Sequence, residues 1–241
     1  MALLEVERLT KGFGGVLAVN DVGFTLEAGE LLGIMGPNGS GKTTLFNLIA
    51  GTLRPDRGRI RFAGRDIAGL LPHRVCARGI ARTFQLVRPF GGLTALDNVR
   101  VGCLYGRRRG AADARAEALR LLALVGLEGR AATPAASLTL MDRKRLELAR
   151  ALATKPRLML MDEVTGGVDL RSIPGLVSLV RELNAAGTAL VIIEHNMGVI
   201  MDISRRIVAL HLGEVIADGP PAVVGRDPRV VEAYLGQAYA R

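Results

Sequence analysis

The apolar residues of this chain are concentrated in short uninterrupted runs, each about as long as one β-strand. Three runs are apolar at nearly every position, which is typical of strands covered on both faces in a parallel sheet. These runs are Glu30–Met35, Arg157–Met161 and Ala189–Ile193. Shorter segments predict further strands at Leu3–Leu9, Gly23–Leu26 and Arg59–Phe62, and a hairpin of Ile207–Leu212 and Glu214–Ala217 around Gly213.

Apolar residues at helical spacing lie between these strands. Leu45, Leu48 and Ile49 predict a helix that follows a glycine-rich turn and ends at Gly51. A strand, a glycine turn and a helix in this order form half of an α/β unit. Further helices are predicted over 111–125, 142–153 and near 170–185. The helices over 111–125 and 142–153 predict a helical insert over residues 88–156. The strand at 157–161 then returns the chain to the same sheet. We therefore expect one domain with two lobes.

The composition describes a chain that folds around an aliphatic core. Of its 241 residues, 49% are hydrophobic, 23% are charged and 4% are aromatic, which excludes wholesale disorder. No apolar run approaches the ~18 residues that cross a bilayer. Glu5 and Glu7 place charges too early for a signal peptide. We expect a cytosolic chain that reaches a membrane only through a partner.

The charge and the cysteines restrict the function only weakly. A formal net charge of +9 fits nucleic acid, an anionic membrane face or phosphate ligands, and equally a basic surface that binds none of them. The basic residues are spread along the chain apart from one cluster at Arg107–Arg109, so charge alone gives little support to nucleic-acid binding. Cys76 and Cys103 lack CxxC spacing, which favours reduced thiols over a zinc site or a disulfide.

The glycine turn after the strand at 30–35 has the pattern G-x-x-x-x-G-K-[ST], which is typical of a phosphate-binding loop. Glycines allow backbone N–H groups to surround a phosphate, and the following helix N-terminus adds positive potential. Lys42 supplies a cation for the β- and γ-phosphates, and the Thr43 hydroxyl is a Mg²⁺ ligand in such loops. The alternative is a chance glycine turn beside a surface lysine. The candidate nucleotide-binding residues are Gly36, Pro37, Asn38, Gly39, Ser40, Gly41, Lys42, Thr43 and Thr44.

An acidic pair follows the second buried strand. Leu158–Met161 leads directly into Asp162 and Glu163, at the strand end where open α/β sheets bind ligands. Asp162 is the candidate Mg²⁺ ligand, and Glu163 is the candidate general base for the attacking water. An acidic helix cap after a core strand is the alternative, and the presence of the phosphate loop favours the catalytic interpretation.

These motifs resemble those of the ATP-binding subunit of ABC transporters over essentially the whole chain. The resemblance implies an α/β P-loop ATPase fold with a mixed sheet, an N-terminal antiparallel β part and an inserted helical subdomain. In that reading residues 1–87 and 157–241 form the catalytic lobe and residues 88–156 form the helical signature subdomain.

The resemblance also implies site residues outside the two motifs. Gln85 matches the family's glutamine loop, which contacts Mg²⁺ and the water, and His195 matches the switch histidine that touches the γ-phosphate. Phe13 lies where the family stacks an aromatic ring on adenine. Val168-Asp169 matches a loop that contacts the opposite subunit. Taken singly, these residues have other interpretations: a solvated loop amide for Gln85, a structural histidine, and a packing role for Phe13.

The family signature is altered here. Where the family has Leu-Ser-Gly-Gly-Gln, this chain has Leu138–Asp142, with Leu140 and Met141 in place of both glycines. Thr139 keeps a hydroxyl for the partner's γ-phosphate, and Thr139-x-x-Asp142 is also a helix capping box. Val164 replaces the usual proline after the acidic pair. These changes affect the composite ATP site that the chain completes for a partner and leave its own phosphate loop intact.

Several segments, among them Phe13–Asn20, Arg145–Arg150 and Val231–Gly236, resemble ATPases of branched-chain amino-acid uptake systems. The resemblance implies a peripheral importer subunit on the cytoplasmic face, with ATP and Mg²⁺ as ligands. Its implied partners are permease subunits, a second ATPase chain of the same or another kind, and indirectly a solute-binding protein. A regulatory module with weak hydrolysis is the alternative. An ABC ATPase acting on nucleic acid is disfavoured, because such proteins usually carry tandem cassettes or long coiled-coil inserts.

Overall fold

The computed structural model describes residues 2–84, 87–107 and 111–238. No helix among these residues is both long enough and apolar enough to cross a membrane. The strands are β1 Leu4–Phe13, β2 Val16–Leu26, β3 Leu31–Met35, β4 Arg57–Phe62, β5 Arg65–Asp66, β6 Ile80–Arg82, β7 Leu158–Asp162, β8 Ala189–Ile193, β9 Arg206–His211 and β10 Glu214–Gly219. The helices are α1 Lys42–Ile49, α2 Pro72–Arg78, α3 Ala95–Arg107, α4 Ala111–Leu124, α5 Leu140–Leu152, α6 Ile173–Ala185, α7 Met197–Ile203, α8 Pro221–Val224 and α9 Pro228–Ala238.

A six-stranded mixed sheet carries the core, with strand order β10-β9-β3-β8-β7-β6. All neighbours are parallel except β9 and β10, which form the predicted antiparallel hairpin. Every residue of β3, β7 and β8 is buried. This is the burial expected of strands whose two faces are both covered, and it explains their unbroken apolar sequences.

A second sheet of order β2-β1-β4-β5 is antiparallel throughout its pairs. Its first hairpin is longer than predicted, because β1 continues to Phe13 and β2 begins at Val16. Gly14 and Gly15 form the tight connection with φ values of 52° and 88°, a backbone region that glycine enters without a Cβ clash.

Successive residues of the central strands supply two separate cores, because side chains alternate between the faces of a sheet. Leu158 and Leu160 pack with α1 and the antiparallel sheet. Met159 and Met161 pack with α3, α4, α5 and α6 on the other face. The predicted α/β fold, with an N-terminal antiparallel part and an inserted helical part, is confirmed.

The parallel register brings three distant segments to one edge of the sheet. Asp162 pairs with Ile193, and Ile34 pairs with the same residue from the other side. The glycine turn after β3, the acidic pair after β7 and the residues after β8 therefore leave the sheet side by side. This is the edge at which ligands bind in parallel sheets.

Candidate functional site

The glycine turn folds its own lysine back onto the loop. Lys42 opens α1, and its Nζ donates to the carbonyl oxygens of Gly36 at 2.7 Å and Pro37 at 2.9 Å. The side chain is buried, and burial lowers the pKa of Lys42, while the negative charges of Glu163 and Asp162 oppose that shift. The ammonium is thus placed beside the loop interior before any ligand arrives.

A cavity of about 620 Å³ joins the predicted residues of three segments. Its lining includes Asn38 to Thr44, Glu163 and His195. His195 Nε2 lies 2.8 Å from Glu163 Oε1, so the two predicted catalytic side chains are in direct contact although they come from different strand ends. The structure therefore places the glycine turn, Glu163 and His195 around one space.

Asp162 is not among the described residues that line that cavity, and it lines a second one of about 710 Å³ together with Thr43. Its Oδ2 accepts a hydrogen bond from Arg82 Nη2 at 3.3 Å, and both side chains are almost fully buried. Burial raises the pKa of Asp162, and the neighbouring Arg82 guanidinium opposes this shift. Arg82 is thus the cationic partner of Asp162 in this structure, a pairing that was not predicted.

A lysine on α5 holds the backbone of the proposed base. Lys144 Nζ donates to the Glu163 carbonyl oxygen at 2.8 Å, and Glu163 itself has an unusual φ of 50°. The buried Glu194 accepts hydrogen bonds from the backbone N–H and the hydroxyl of Thr165, both at 2.8 Å. The sequence analysis did not predict a role for Lys144 or Glu194 at this site. The available signal was a charged residue in a buried pattern: Lys144 lies four residues before the buried Leu148, and Glu194 directly follows an apolar strand.

Two further predicted residues, Phe13 and Thr139, are not among the described residues that line the first cavity. Phe13 is half-exposed at the end of β1, with Lys11 Nζ 5.5 Å from its ring centroid, and it is not among the described residues that line the first cavity. Thr139 is the N-cap of α5, and its hydroxyl accepts from the Asp142 backbone N–H at 3.1 Å, which confirms the capping interpretation. Gln85 lies outside the described residues.

The second cavity is a groove between the central sheet and the inserted helices α3 and α5. Its lining includes Arg88 and Phe90, which lie between β6 and α3. Phe90 is half-exposed, and the Arg150 guanidinium lies 4.9 Å from its ring centroid. Arg82 and Asp162 line the same groove, so it extends from the surface to Asp162.

Replacing Gly41 with alanine should destabilise the empty protein more than the same change at Gly39. Both residues have positive φ, 100° and 79°, so each alanine costs ~1–2 kcal/mol of backbone strain. A Cβ at Gly41 would lie 2.2 Å from the Ala18 carbonyl oxygen, whereas at Gly39 it would meet nothing within 4 Å. We expect Gly41→Ala to lose a further ~1–3 kcal/mol from this overlap. Urea unfolding without nucleotide measures both, and equal losses would contradict the expectation.

Comparisons with known proteins agree with this geometry. Residues 19–166 match the family model described as ABC transporter, and residues 214–240 match the model described as branched-chain amino acid ATP-binding cassette transporter. The chain is 37% identical to the high-affinity branched-chain amino acid transport ATP-binding protein BraF of Pseudomonas aeruginosa, with 98% of each chain covered. It is 35% identical to the lipopolysaccharide export system ATP-binding protein LptB of Acidithiobacillus ferridurans, again with 98% of each covered.

A solved structure of an ATP-binding cassette of an ABC transporter in its ADP conformation superimposes with a TM-score of 0.88. It is 31% identical in sequence and covers 98% of this chain and 99% of that chain. The sequence and the fold are shared with these proteins, and one cavity is lined by the loop at 38–44, Glu163 and His195. This chain therefore belongs to the ABC transporter family, as an ATP-binding ATPase subunit.

Proposed function

We propose that this chain is the ATP-hydrolysing subunit of an importer for branched-chain or related amino acids, held at the cytoplasmic face of the membrane by permease subunits. The observation that carries the proposal is the single cavity lined by the loop at 38–44, Glu163 and His195. The match of residues 214–240 and the similarity to BraF support the amino-acid class of cargo. A solute-binding protein would act on the permease and contact this chain only indirectly.

The chain's own residues divide the work of hydrolysis. The backbone N–H groups of residues 38–44 and the N-terminus of α1 bind the phosphates, and Lys42 exchanges its two carbonyl partners for phosphate oxygens. Glu163 takes a proton from the attacking water. His195, 2.8 Å from the Glu163 carboxylate, orients that carboxylate and contacts the γ-phosphate, and Gln85 completes the water site.

The donor set fits Mg²⁺. This cation takes one or two carboxylates, hydroxyl oxygens and phosphate oxygens, and Asp162 and Thr43 supply a carboxylate and a hydroxyl on the wall of one cavity. The buried Asp162 already requires a neighbouring positive charge, which Arg82 provides in this structure. Gln85 is the third candidate ligand. A Mg²⁺ ion held there would neutralise negative charge that develops on the phosphate oxygens.

Two ATPase chains would face each other, with each α5 N-terminus on the other's ATP. In this chain that N-terminus begins with the half-exposed Leu140, and Asp142 lies in the first turn. The Thr139 hydroxyl is engaged by the Asp142 N–H. A helix N-terminus attracts anions, and a bulky side chain and a carboxylate there both oppose a phosphate. We therefore favour a pair with a different ATPase chain that has an intact signature.

A subunit that binds nucleotide with weak hydrolysis is the second candidate function, and the same α5 N-terminus favours it.

Restoring the signature should raise the ATPase rate of the purified chain. In the triple variant Leu140→Gly, Met141→Gly and Asp142→Gln, new backbone amides can approach the partner's phosphate, and a rise in kcat of about 10-fold is expected. Steady-state phosphate release measures it. Adding Glu163→Gln to the triple variant should remove the gain, which shows that the proposed site produces it. A triple variant with unchanged turnover would contradict the role given to the altered signature.

The groove of about 710 Å³ is the proposed contact for a permease. It is mostly apolar, and among the described residues of its lining three arginines, Arg82, Arg88 and Arg150, outnumber two carboxylates, Asp162 and Glu147. A short cytoplasmic segment with apolar side chains and an acidic residue fits this lining. Arg82 lines the groove and forms an ion pair with Asp162. An occupant of the groove that contacts Arg82 would therefore act on Asp162 through that ion pair.

The test of the proposed function is assembly with membrane subunits. Purification from detergent-extracted membranes should recover a permease, and ATPase activity of the assembly in proteoliposomes should increase when a branched-chain amino acid and its binding protein are added. Phe90→Asp should lower that stimulated rate by about 10-fold, since a buried interface carboxylate costs ~1.4 kcal/mol or more. Tyr105→Asp, on an exposed part of α3, is the matched control. Recovery of no membrane protein, or full stimulation with Phe90→Asp, would contradict the proposal.

A further inference from the structure

The C-terminal helix reaches the start of the phosphate loop. The Gly36 backbone N–H donates a hydrogen bond of 2.8 Å to the Tyr234 hydroxyl oxygen, across 198 residues of sequence. Tyr234 lies on α9, inside the segment that matches the branched-chain transporter model. Burial raises the pKa of Tyr234, so the hydroxyl stays neutral and its oxygen accepts the amide proton. No sequence pattern pointed to this contact.

Gly36 is held on both sides of its Cα. Its N–H is bound by Tyr234, and its carbonyl oxygen accepts from Lys42 Nζ at 2.7 Å. A Cβ at Gly36 would lie 2.2 Å from the Leu210 carbonyl oxygen, so strand β9 closes the third side. One residue thus connects the tyrosine hydroxyl to the loop lysine, and a shift of Gly36 would displace the partner of that lysine.

A small core fixes the tyrosine relative to the loop. Met35, which precedes Gly36, is fully buried in a cluster with Ile200 of α7 and Val230 of α9, and Tyr234 packs against this cluster. Helix α7 begins at Met197, two residues after His195. The C-terminal helix therefore accepts a hydrogen bond from the base of the phosphate loop and shares one hydrophobic cluster with the helix that follows the histidine. The packing of the Tyr234 ring and the hydrogen bond of its hydroxyl can be tested separately, because the hydroxyl oxygen is the atom that accepts from the Gly36 N–H.

We infer that Tyr234 is a positioning residue for the phosphate loop, and that its hydroxyl holds Gly36 where Lys42 is set for the nucleotide. The inference rests on the proposed assignment of the loop at 36–44 to ATP. It makes nucleotide affinity depend on the C-terminal segment, which lies outside the match to the general ABC model at residues 19–166.

Tyr234→Phe isolates the hydroxyl, since the ring and its packing are kept. The Gly36 N–H then loses its acceptor, and we expect the ATP dissociation constant and KM to rise about 5- to 10-fold. The kcat should stay within about 2-fold and Tm within about 2 °C, because the apolar contacts remain. The Gly36 amide resonance in a ¹⁵N-labelled sample should move, which reports the bond itself. Tyr105→Phe, at an exposed tyrosine on α3, should leave all five quantities unchanged.

The outcomes separate this inference from the proposed function. A dissociation constant within about 2-fold of the parent, or an unmoved Gly36 resonance, would overturn the role of Tyr234. A lower Tm with unchanged affinity of the folded protein would also overturn it, since the hydroxyl would then be structural only. Lys42→Met is measured in parallel: if it loses ATP while Tyr234→Phe does not, only the inference fails, and if Lys42→Met binds ATP normally, the proposed function fails.

Discussion

Glu163→Gln should reduce kcat for ATP hydrolysis by ~10²–10⁴-fold, or ~3–5 kcal/mol of barrier. The glutamine keeps the shape of the side chain and removes the carboxylate that we propose as the base for water. His195 Nε2 can still donate to the amide oxygen in place of Glu163 Oε1. The backbone anchor, from Lys144 Nζ to the Glu163 carbonyl oxygen, is unaffected by the side-chain change. The loss should therefore be chemical and not a loss of structure.

ATP binding should survive this change, because one negative charge beside the γ-phosphate is removed while Lys42 and the loop amides remain. We expect the dissociation constant to be unchanged or lower, and ATP-dependent association of two chains to become stronger. Single-turnover hydrolysis and equilibrium binding measure the two effects separately. Glu182→Gln, an exposed glutamate on α6, is the control. Turnover by Glu163→Gln at the parent rate would remove Glu163 from the role of base.

Lys42→Met should raise the ATP dissociation constant by about 100-fold, corresponding to ~2.7 kcal/mol for a lost charge-assisted contact. The net effect is smaller than the gross attraction, because the lysine must give up its bonds to the Gly36 and Pro37 carbonyls when it binds phosphate. Methionine keeps much of the buried aliphatic stem, so the loop should still fold. Fluorescent-nucleotide titration measures the loss.

Lys155→Met is the matched control, since it removes the same charge from an exposed turn between α5 and β7. It should bind ATP like the parent protein. A Lys42→Met variant that binds ATP with the affinity of the parent protein would show that Lys42 in this loop does not bind the phosphates. It would contradict the assignment of this site as the ATPase site.

The elements that could be predicted are those whose sequence pattern is local. The buried strands β3, β7 and β8 are uninterrupted apolar runs because both of their faces are covered. The turn at 36–41 could be recognised because phosphate binding requires its glycines and Lys42 at fixed spacing. Helix α5 begins at Leu140, close to the predicted start at residue 142, since the Thr139 cap is itself a short-range signal.

Other elements were not predicted, because their local sequence does not favour them and tertiary packing stabilises them instead. Helix α3 contains Gly102 and Gly106, which disfavour a helix in isolation. A Cβ at Gly102 would lie 2.7 Å from the Ala153 Cβ, so the glycine permits the close approach of α3 to the end of α5. Strand β6, at the sheet edge, has only three residues, too few to show a period. Tertiary contacts compensate for the weak local preference in both cases.

The amino-acid sequence alone thus determined the fold class and the family, and it supplied the glycine turn and the acidic pair that we propose as the nucleotide site, because each of these patterns lies in neighbouring residues. Only the tertiary structure decided which partners these groups have: Arg82 for Asp162, Lys144 for the Glu163 carbonyl and Tyr234 for Gly36. Each contact joins residues that are 19 to 198 positions apart. Such pairs are set by the sheet register and by helix packing, and they leave no periodic trace along the chain.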